Sequence, residues 1–292
     1  MTAATIMITG AAGQLGFELQ RTAPVGTRLL PVDIAELDLT DRSAVESFVS
    51  EHRPSVIINA AAYTAVDRAE DEPTKAEAVN AAAARNLAEF AKRHGARMIQ
   101  LSTDFVFGGP TSRPWAPTDA TQPESVYGRT KRDGELAVLE TLGADALVIR
   151  TAWLYSVHGT NFVKTMLRLM RERESIGVVV DQIGTPTWAH PLAEVVWEAV
   201  ARRDVSGCLH WTDAGVASWY DFAVAIQEEA LEAGLLSRQI PIMPIATSDY
   251  PTPARRPAFS VLDKRDAIAT LRVTPRHWRV CLRQMLHELK HA

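Results

Sequence analysis

Residues 5–16 read Thr-Ile-Met-Ile-Thr-Gly-Ala-Ala-Gly-Gln-Leu-Gly, an apolar β-type run that leads into a glycine-rich loop. The helix predicted after the loop carries Leu15 and Leu19 on one face. In such a strand–loop–helix unit, Gly10, Gly13 and Gly16 allow a tight turn, bring backbone N–H groups close to a pyrophosphate and let the helix pack against the strand. The stretch therefore predicts a dinucleotide-binding loop, and the alternative is a glycine-rich turn without a ligand.

Short β-rich runs alternate with helical patterns through the first half of the chain. The predicted strands are 5–9, 28–32, 55–60, 96–102 and 146–151. The clearest helical pattern places Val79, Leu87 and Phe90 on one face and ends at Gly95. Because strands and helices alternate, the strands should form a parallel sheet covered on both faces. We therefore predict an α/β fold with a Rossmann-type, doubly wound sheet in residues 1–151.

The second half of the chain has a different composition. Six of the seven tryptophans follow residue 150, and residues 251–257 contain three prolines, which remove backbone donors and fix φ. We predict that residues 152–292 form mainly a smaller, discontinuous substrate-binding domain. A segment around 184–202 is expected to return to the first domain.

Composition excludes several classes of protein. The 292 residues are 47 % apolar and 23 % charged, with a net charge of −4, which is typical of a globular protein. A mildly acidic chain without a basic block is not expected to bind nucleic acid or an anionic membrane. The N-terminal apolar run ends at Gly10 and the first basic residue is Arg21, so we expect neither a signal peptide nor a membrane span. We therefore expect a cytoplasmic protein. The two cysteines lack metal-ligand spacing.

Asp33 closes the second predicted strand, 17 residues after the last glycine of the loop. A carboxylate there can accept hydrogen bonds from an adenosine ribose and would repel a 2′-phosphate. Its charge favours NADH, but cations elsewhere could compensate, so the expected cofactor is NADPH or NADH. Asp38 and Leu39 fall where the next crossover reaches an adenine; the alternative is a helix cap at Thr40 or Asp41.

Tyr127 and Lys131 are four residues apart, so on a helix they project from the same face. A phenol has a pKa near 10 and is a slow proton shuttle at neutral pH, but a neighbouring ammonium lowers that pKa. The pair therefore suits reversible proton transfer to a carbonyl oxygen. Thr103 follows the fourth predicted strand, at the sheet edge where ligands bind. The alternative is an exposed aromatic–cation pair.

Four segments together resemble the extended short-chain dehydrogenase/reductases and, within them, the dTDP-4-dehydrorhamnose reductase family. They are the glycine loop, Asn59-Ala60-Ala61-Ala62-Tyr63-Thr64-Ala65-Val66-Asp67, Ser102-Thr103-Asp104-Phe105-Val106-Phe107 and Tyr127-Gly128-Arg129-Thr130-Lys131. Residues 150–155, 161–166, 181–187 and 251–257 agree with the same pattern, so the resemblance covers essentially the whole chain.

The resemblance implies reduction of the C4 ketone of dTDP-4-dehydro-L-rhamnose to dTDP-L-rhamnose. Tyr127 would donate the proton, Lys131 would bind the nicotinamide ribose and Thr103 would assist the tyrosine. Cofactor contacts are implied or predicted for Gly10, Gly13, Gln14, Leu15, Gly16, Asp33, Asp38, Leu39, Ala62, Tyr63, Thr64, Leu101, Tyr127 and Lys131. Substrate contacts are implied for Thr103, Asp104 and Trp153.

Two further substrate questions stay open. For Trp153 the alternative is a core aromatic residue. The cationic pair Arg255 and Arg256 suits a substrate diphosphate, and we predict Arg256 as a substrate contact, although surface charge is an equal alternative.

The sequence departs from the family pattern at two positions. Phe105 stands where the family usually has Tyr, and Gly108 stands where it usually has Asp. Phe105 keeps the ring but loses a hydroxyl, which leaves one substrate contact open. Phe105 also counts against a sugar-nucleotide 4,6-dehydratase, because the sequence pattern of those enzymes has an acid at this position.

Assembly and activity leave alternatives open. Some relatives dimerise through a metal held by glutamates; Glu18 could be one ligand, but His190 stands where another is expected. We therefore expect no metal, and a monomer or weak homodimer.

The other candidate functions are a reductase of another nucleotide-linked ketosugar and a non-catalytic NAD(P)-binding regulatory subunit. The second would tolerate loss of Tyr127 or Lys131, and both are present.

Overall fold

The computed structural model describes residues 4–291. The strands are β1 (Thr5–Thr9), β2 (Arg28–Val32), β3 (Val56–Asn59), β4 (Arg97–Thr103), β5 (Ala146–Thr151), β6 (Leu154–Tyr155), β7 (Ile176–Val179), β8 (Ile183–Gly184), β9 (Thr187–Trp188), β10 (Gly207–His210), β11 (Ala217–Ser218) and β12 (Ile242–Ile245). The α-helices are α1 (Gln14–Arg21), α2 (Arg42–His52), α3 (Val66–Asp71), α4 (Pro73–Glu77), α5 (Ala83–His94), α6 (Val126–Leu142), α7 (Phe162–Glu172), α8 (Ala189–Ala201), α9 (Trp219–Glu232), α10 (Arg265–Leu271) and α11 (Trp278–His291).

The main sheet has six parallel strands in the order β2-β1-β3-β4-β5-β10. After β2 the chain returns across β1 to form β3 on its other side, so the strand order reverses at β1. Open α/β sheets bind ligands outside the carboxyl ends of their strands at this kind of reversal. The predicted α/β fold class with a doubly wound parallel sheet is confirmed.

Helices cover both faces of the main sheet, as the buried strands require. On one face, Leu15 and Leu19 of α1 and Leu192 of α8 belong to the same apolar cluster as Ile6 and Ile8 of β1. On the other face, a second cluster joins residues of α2, α5 and α6 to the opposite side of the strands. The two layers fix the glycine loop between β1 and α1.

The return of the chain to the main sheet is longer than the expected segment around 184–202. The two strands at the start of that segment pair elsewhere, β8 with β11 and β9 with β6. The return begins at α8, which packs on α1, and continues through β10, which pairs with β5. α10 then packs on both. β10 has only four residues, so its run in the sequence was too short to predict a strand.

The remaining elements surround a separate apolar cluster, which we call the second-lobe core. It contains buried residues of α7, α9 and α11, among them Leu167, Phe222 and Leu282. The short strand pairs β7–β12, β8–β11 and β6–β9 lie beside these helices. Within residues 4–291 the structure contains no helix of the length and hydropathy needed to cross a bilayer.

Candidate active site

A cavity of about 950 Å³ opens at the carboxyl ends of the central strands, between the main sheet and the second lobe. Its wall contains every predicted site residue: Gly10, Gly13, Gln14, Leu15, Gly16, Asp33, Asp38, Leu39, Ala62, Tyr63, Thr64, Leu101, Thr103, Asp104, Tyr127, Lys131, Trp153 and Arg256. Residues more than two hundred positions apart therefore line one cavity, large enough for a cofactor-sized ligand.

The glycine loop forms one end of the cavity. Gly13 is the N-cap of α1, and the Ala11 N–H is bonded to the Val32 carbonyl, so the loop is tied to β2. A Cβ added at Gly16 would lie 2.1 Å from the Gly10 carbonyl oxygen, so only glycine lets the helix start this close to the loop. The first N–H groups of α1 have no intrahelical acceptor and are available to an anion. The loop fits a dinucleotide pyrophosphate.

Asp33 and Asp38 line the cavity beside the glycine loop. The Asp33 carboxylate accepts the Ala12 N–H through Oδ2 and the Ile34 N–H through Oδ1, both at 2.8 Å. Asp38 Oδ1 accepts both the N–H and the hydroxyl of Thr40. The cap of α2 is Asp41, which accepts the Ala44 N–H, so Asp38 is left on the cavity side.

A turn of π-helix over residues 78–82 holds the segment Ala62–Thr64 in place. Buried Asn80 lies in that turn; its Oδ1 accepts the Tyr63 N–H at 2.8 Å, and its Nδ2 donates to the Thr130 hydroxyl at 3.0 Å. Single π-turns of this kind occur often at functional sites. Because Thr130 precedes Lys131 on α6, one amide connects the wall after β3 to the helix that carries the predicted catalytic pair.

The start of α6 directs Tyr127 into the cavity. The Ser125 hydroxyl caps the helix by accepting the Gly128 N–H at 3.1 Å, and Glu70 accepts the Val126 N–H at 2.7 Å. The Phe105 ring meets the Tyr127 ring edge-on, with centroids 5.5 Å apart. Phe105, just after β4, therefore meets the phenol ring that α6 carries.

Lys131 lies one turn further along α6 and is buried, with 4 % of its surface exposed. Its Nζ donates to the carbonyl of Leu101, on β4, at 2.7 Å. No carboxylate forms an ion pair with it among residues 4–291, so two of the three ammonium donors remain for water or a ligand. The ammonium supplies positive charge in the cavity wall.

Burial shifts the pKa of three groups in this part of the cavity. It raises the pKa of Tyr127 to about 12, against a smaller lowering effect of the Thr103 hydroxyl. It lowers the pKa of Lys131 to about 8 and raises the pKa of Asp104 to about 6. At neutral pH the phenol is therefore protonated and the ammonium is mostly charged. The prediction that Lys131 lowers the pKa of Tyr127 is wrong for this ligand-free site, because burial of the phenol dominates and raises its pKa.

Three buried polar atoms in the cavity wall have no hydrogen-bond partner within the described part of the chain: Ser102 Oγ, Asp104 Oδ2 and Thr151 Oγ1. They lie at the carboxyl ends of β4 and β5. Buried polar atoms are nearly always paired in native proteins, and an unpaired one costs about 1–3 kcal/mol. These three atoms are therefore available to hydrogen-bond water or a polar ligand in the cavity.

Trp153 lines the cavity directly after β5 and has a positive φ of 48°, which costs a non-glycine residue backbone strain. Its indole stacks on that of Trp219, with centroids 3.5 Å apart and planes inclined by 6°. Phe162 packs on Trp219 from the second lobe, with centroids 4.7 Å apart. All three aromatic rings line the cavity, and Trp153 also packs against the second-lobe core.

Arg256 also lines the cavity, but Asp67 already binds its guanidinium at 2.7 and 3.0 Å. The same contact holds the pKa of Asp67 below its usual range. Arg255 is exposed and lies outside the cavity wall. The charge that Arg256 offers to a diphosphate is therefore partly neutralised.

Glu18 and His190 come together away from the cavity. The buried Glu18 carboxylate accepts hydrogen bonds from Arg21 and Ser156 at 2.9 Å, and His190 Nδ1 lies 3.2 Å from it. Arg21 also binds Glu288 of α11. An arginine side chain thus lies among the groups considered as metal ligands, and whether this chain forms a metal-bridged dimer stays a prediction.

Sequence reasoning missed several residues of the cavity wall. Trp219, Lys75 and Thr160 received no role, and Asn161 and Phe162 appeared only in a resembling segment. Trp219 meets Trp153 across 66 positions, and no local spacing reports such a contact. Asn161 is the N-cap of α7 in the structure, and a cap position does not by itself report a place in the cavity wall.

The family described as "RmlD substrate binding domain" matches residues 4–291. The chain is 41 % identical to dTDP-4-dehydrorhamnose reductase of Escherichia coli, covering 97 % of each chain. It is 40 % identical to dTDP-4-keto-6-deoxy-D-glucose reductase of Streptomyces niveus, covering 95 % of each. The solved dTDP-4-dehydrorhamnose reductase of Bacillus anthracis, in complex with NADP, is 35 % identical, with a TM-score of 0.93 over 98 % of this chain and 100 % of that one.

Proposed function

This chain belongs to the family described as RmlD substrate binding domain, and we propose that it reduces the C4 ketone of dTDP-4-dehydro-L-rhamnose to dTDP-L-rhamnose with NADPH or NADH. It is an NAD(P)H-dependent oxidoreductase of the dTDP-4-dehydrorhamnose reductase type. One observation carries the proposal: Tyr127, Lys131 and Thr103 line the same cavity as the glycine loop. A non-catalytic regulatory subunit would not need Tyr127 or Lys131.

The cofactor would lie along the carboxyl ends of β1, β3 and β4. The glycine loop and the N-terminus of α1 would hold its pyrophosphate, through Gly13, Gln14 and Leu15. Asp33, Asp38 and Leu39 would contact the adenosine, while Ala62, Tyr63, Thr64 and Leu101 would line the rest. When bound, this cofactor supplies the hydride. Lys131 would bind the nicotinamide ribose with the donors that its Leu101 bond leaves free.

Tyr127 would deliver the proton. In its buried position the pKa of the phenol is raised to about 12, so the proton is present at neutral pH. As the carbonyl oxygen gains negative charge, proton transfer becomes favourable, and the Lys131 ammonium stabilises the phenolate left behind. The Thr103 hydroxyl, bonded to Asp104 at 3.0 Å, would contact the same oxygen and the phenol.

The second lobe would bind the sugar nucleotide. The unpaired atoms of Ser102, Asp104 and Thr151 would receive the sugar hydroxyl groups, and Trp153 would pack against the ring. Arg256 would contact the diphosphate while it stays bonded to Asp67. We propose the same division of the chain as above, with residues 1–151 and the returning segment for the cofactor and most of 152–292 for the substrate.

A second candidate is reduction of another dTDP-linked ketosugar. The observation that favours it is the 40 % identity to the Streptomyces niveus dTDP-4-keto-6-deoxy-D-glucose reductase, close to the 41 % for the Escherichia coli relative. Both reactions reduce a C4 ketone, and the same tyrosine and lysine would serve either. The stereochemistry of the sugar would be set by the aromatic rings that line the cavity, among them Trp153 and Trp219.

We further propose a cytoplasmic protein that is a monomer or weak homodimer and uses no metal. Support for the compartment comes from its two cysteines, Cys208 and Cys281, which are both free thiols. Support against a metal-bridged pair comes from Arg21, whose guanidinium already occupies the carboxylates of Glu18 and Glu288.

Purified protein with synthetic dTDP-4-dehydro-L-rhamnose tests the proposal. Oxidation of NADH and NADPH is followed by the loss of reduced-nicotinamide absorbance, with dTDP-4-keto-6-deoxy-D-glucose as the competing sugar. We expect turnover with the rhamnose precursor and little with the other sugar. Faster turnover of the other sugar would favour the second candidate, and binding of dinucleotide without turnover of either sugar would refute both.

A further inference from the structure

The segment Ser156–Asn161 leaves the second lobe and contacts the start of α1. Ser156 Oγ donates to Glu18 at 2.9 Å, and His158 Nε2 lies 2.9 Å from the Ala12 carbonyl oxygen. Asn161 Nδ2 lies 3.0 Å from Gln14 Oε1. The second lobe is therefore bonded directly to the loop where the pyrophosphate would lie.

The orientation of the Asn161 amide is fixed by backbone groups. Its Oδ1 accepts the Lys164 N–H at 3.1 Å, as the N-cap of α7, and its Nδ2 donates to the Ser156 carbonyl at 2.7 Å. A backbone N–H can only donate and a carbonyl can only accept, so turning the amide around would lose both bonds. The side chain is nine-tenths buried, with 8 % of the residue exposed.

This fixed orientation determines the orientation of Gln14. Because Nδ2 of Asn161 can only donate, the atom of Gln14 that faces it is the oxygen Oε1. The NH₂ group of Gln14 then points to the other side, and the structure gives it no acceptor within residues 4–291. Gln14 is the first residue of α1 and lines the cavity, beside the free N–H groups of the helix.

We propose that Asn161 is a positioning residue for cofactor binding, which holds the Gln14 amide with its NH₂ group toward the pyrophosphate. The proposal rests on the proposed function, which places a dinucleotide at the glycine loop. A reversed Gln14 would present its carbonyl oxygen to the phosphate oxygens, and an unrestrained one would lose rotamer entropy on binding. Asn161 would thus let the second lobe prepare the phosphate site by orienting Gln14.

The substitution Asn161→Ser removes the amide that contacts both Gln14 and the Ser156 carbonyl, and the Gln14→Ala background separates the two effects. Serine is neutral and is a good N-cap, so it retains the start of α7, but its hydroxyl is too short to reach Gln14. Isothermal titration with NAD⁺ and NADP⁺ would be performed on the unaltered protein, Asn161→Ser, Gln14→Ala and the double variant. Asn86→Ser on α5 is the matched control, because Asn86 lies outside the cavity wall. Thermal unfolding of each variant monitors the fold.

We expect Asn161→Ser to weaken dinucleotide binding about tenfold, which corresponds to about 1.4 kcal/mol. In the Gln14→Ala background, the same change should have almost no further effect, because the amide that Asn161 orients is gone. Asn86→Ser should bind as the unaltered protein does. If Asn161→Ser does not fold, Asn161→Asp retains the cap and forces the Gln14 amide to reverse, so it should weaken binding more than tenfold, and less so in the Gln14→Ala background.

Two results would overturn the proposal. One is unchanged binding in folded Asn161→Ser; the other is an equal loss in both backgrounds, which would mean that Asn161 acts without Gln14. Failure of the unaltered protein to bind either dinucleotide is a different result, since it would overturn the proposed function and this inference with it.

Discussion

We predict that the buried charge of Lys131 lowers the free energy of unfolding, and that removing this charge raises it. The ammonium is buried, makes one protein hydrogen bond, to the Leu101 carbonyl, and has no ion-pair partner among residues 4–291. Burial lowers its pKa from 10.5 to about 8. A shift of 2.5 pKa units at about 1.36 kcal/mol each means that the charged form destabilises the folded state by about 3 kcal/mol at pH 7.

The sign of the pH dependence follows from the two pKa values. Between pH 8 and pH 10.5 the unfolded chain holds the proton that the folded protein has lost, so the free energy of unfolding rises with pH. By the same relation the cost of the charge falls from about 3 kcal/mol at pH 7 to about 1 kcal/mol at pH 9.5. The substitution Lys131→Met has no charge and should lack this rise.

Urea unfolding of the ligand-free protein at pH 7 and pH 9.5 measures the effect. We expect Lys131→Met to be more stable at pH 7, and its advantage to shrink by about 2 kcal/mol at pH 9.5. The lost bond to the Leu101 carbonyl lowers the advantage equally at both pH values, so the change with pH is the decisive quantity. Lys92→Met, on the exposed side of α5, is the matched control. An advantage that is constant or grows with pH would refute the reasoning.

Three further substitutions test the cofactor and proton-transfer assignments. Tyr127→Phe should lower kcat by about 10²–10⁴ while dinucleotide affinity changes little. Steady-state kinetics and titration measure the two quantities, with Tyr250→Phe as the control. An unchanged kcat would exclude Tyr127 as the acid. Asp33→Asn should improve binding of NADP⁺ relative to NAD⁺ roughly fivefold in titrations, since one nearby charge is worth about 1 kcal/mol in water; an unchanged ratio would place the 2′-position elsewhere. Gly16→Ala should weaken binding of both dinucleotides about a hundredfold, because its Cβ would displace the Gly10 carbonyl; wild-type affinity would contradict the tight loop.

Local patterns predicted the cofactor side of the fold well. The runs before Gly10 and Asp33 became β1 and β2 with the predicted ends, because an apolar run that ends at a turn residue is decided within a few positions. β10 and Trp219 were not predicted. β10 takes its place in the sheet from its pairing with β5, sixty positions away, and Trp219 enters the cavity wall through its stack on Trp153. Contacts between residues so far apart in the chain produce no periodic pattern of apolar residues in the sequence.

The two departures from the family pattern acquire physical reasons in the structure. At Gly108, an added Cβ would lie 2.3 Å from the Gln122 carbonyl oxygen, so no side chain fits while the loop before α6 approaches this closely. Phe105 meets the edge of the Tyr127 ring and offers the phenol no hydrogen-bond partner. A hydrocarbon ring beside the phenol helps to keep it dry, in the direction that raises its pKa. The absent hydroxyl thus favours a protonated Tyr127, which is the form that reduction of a ketone requires.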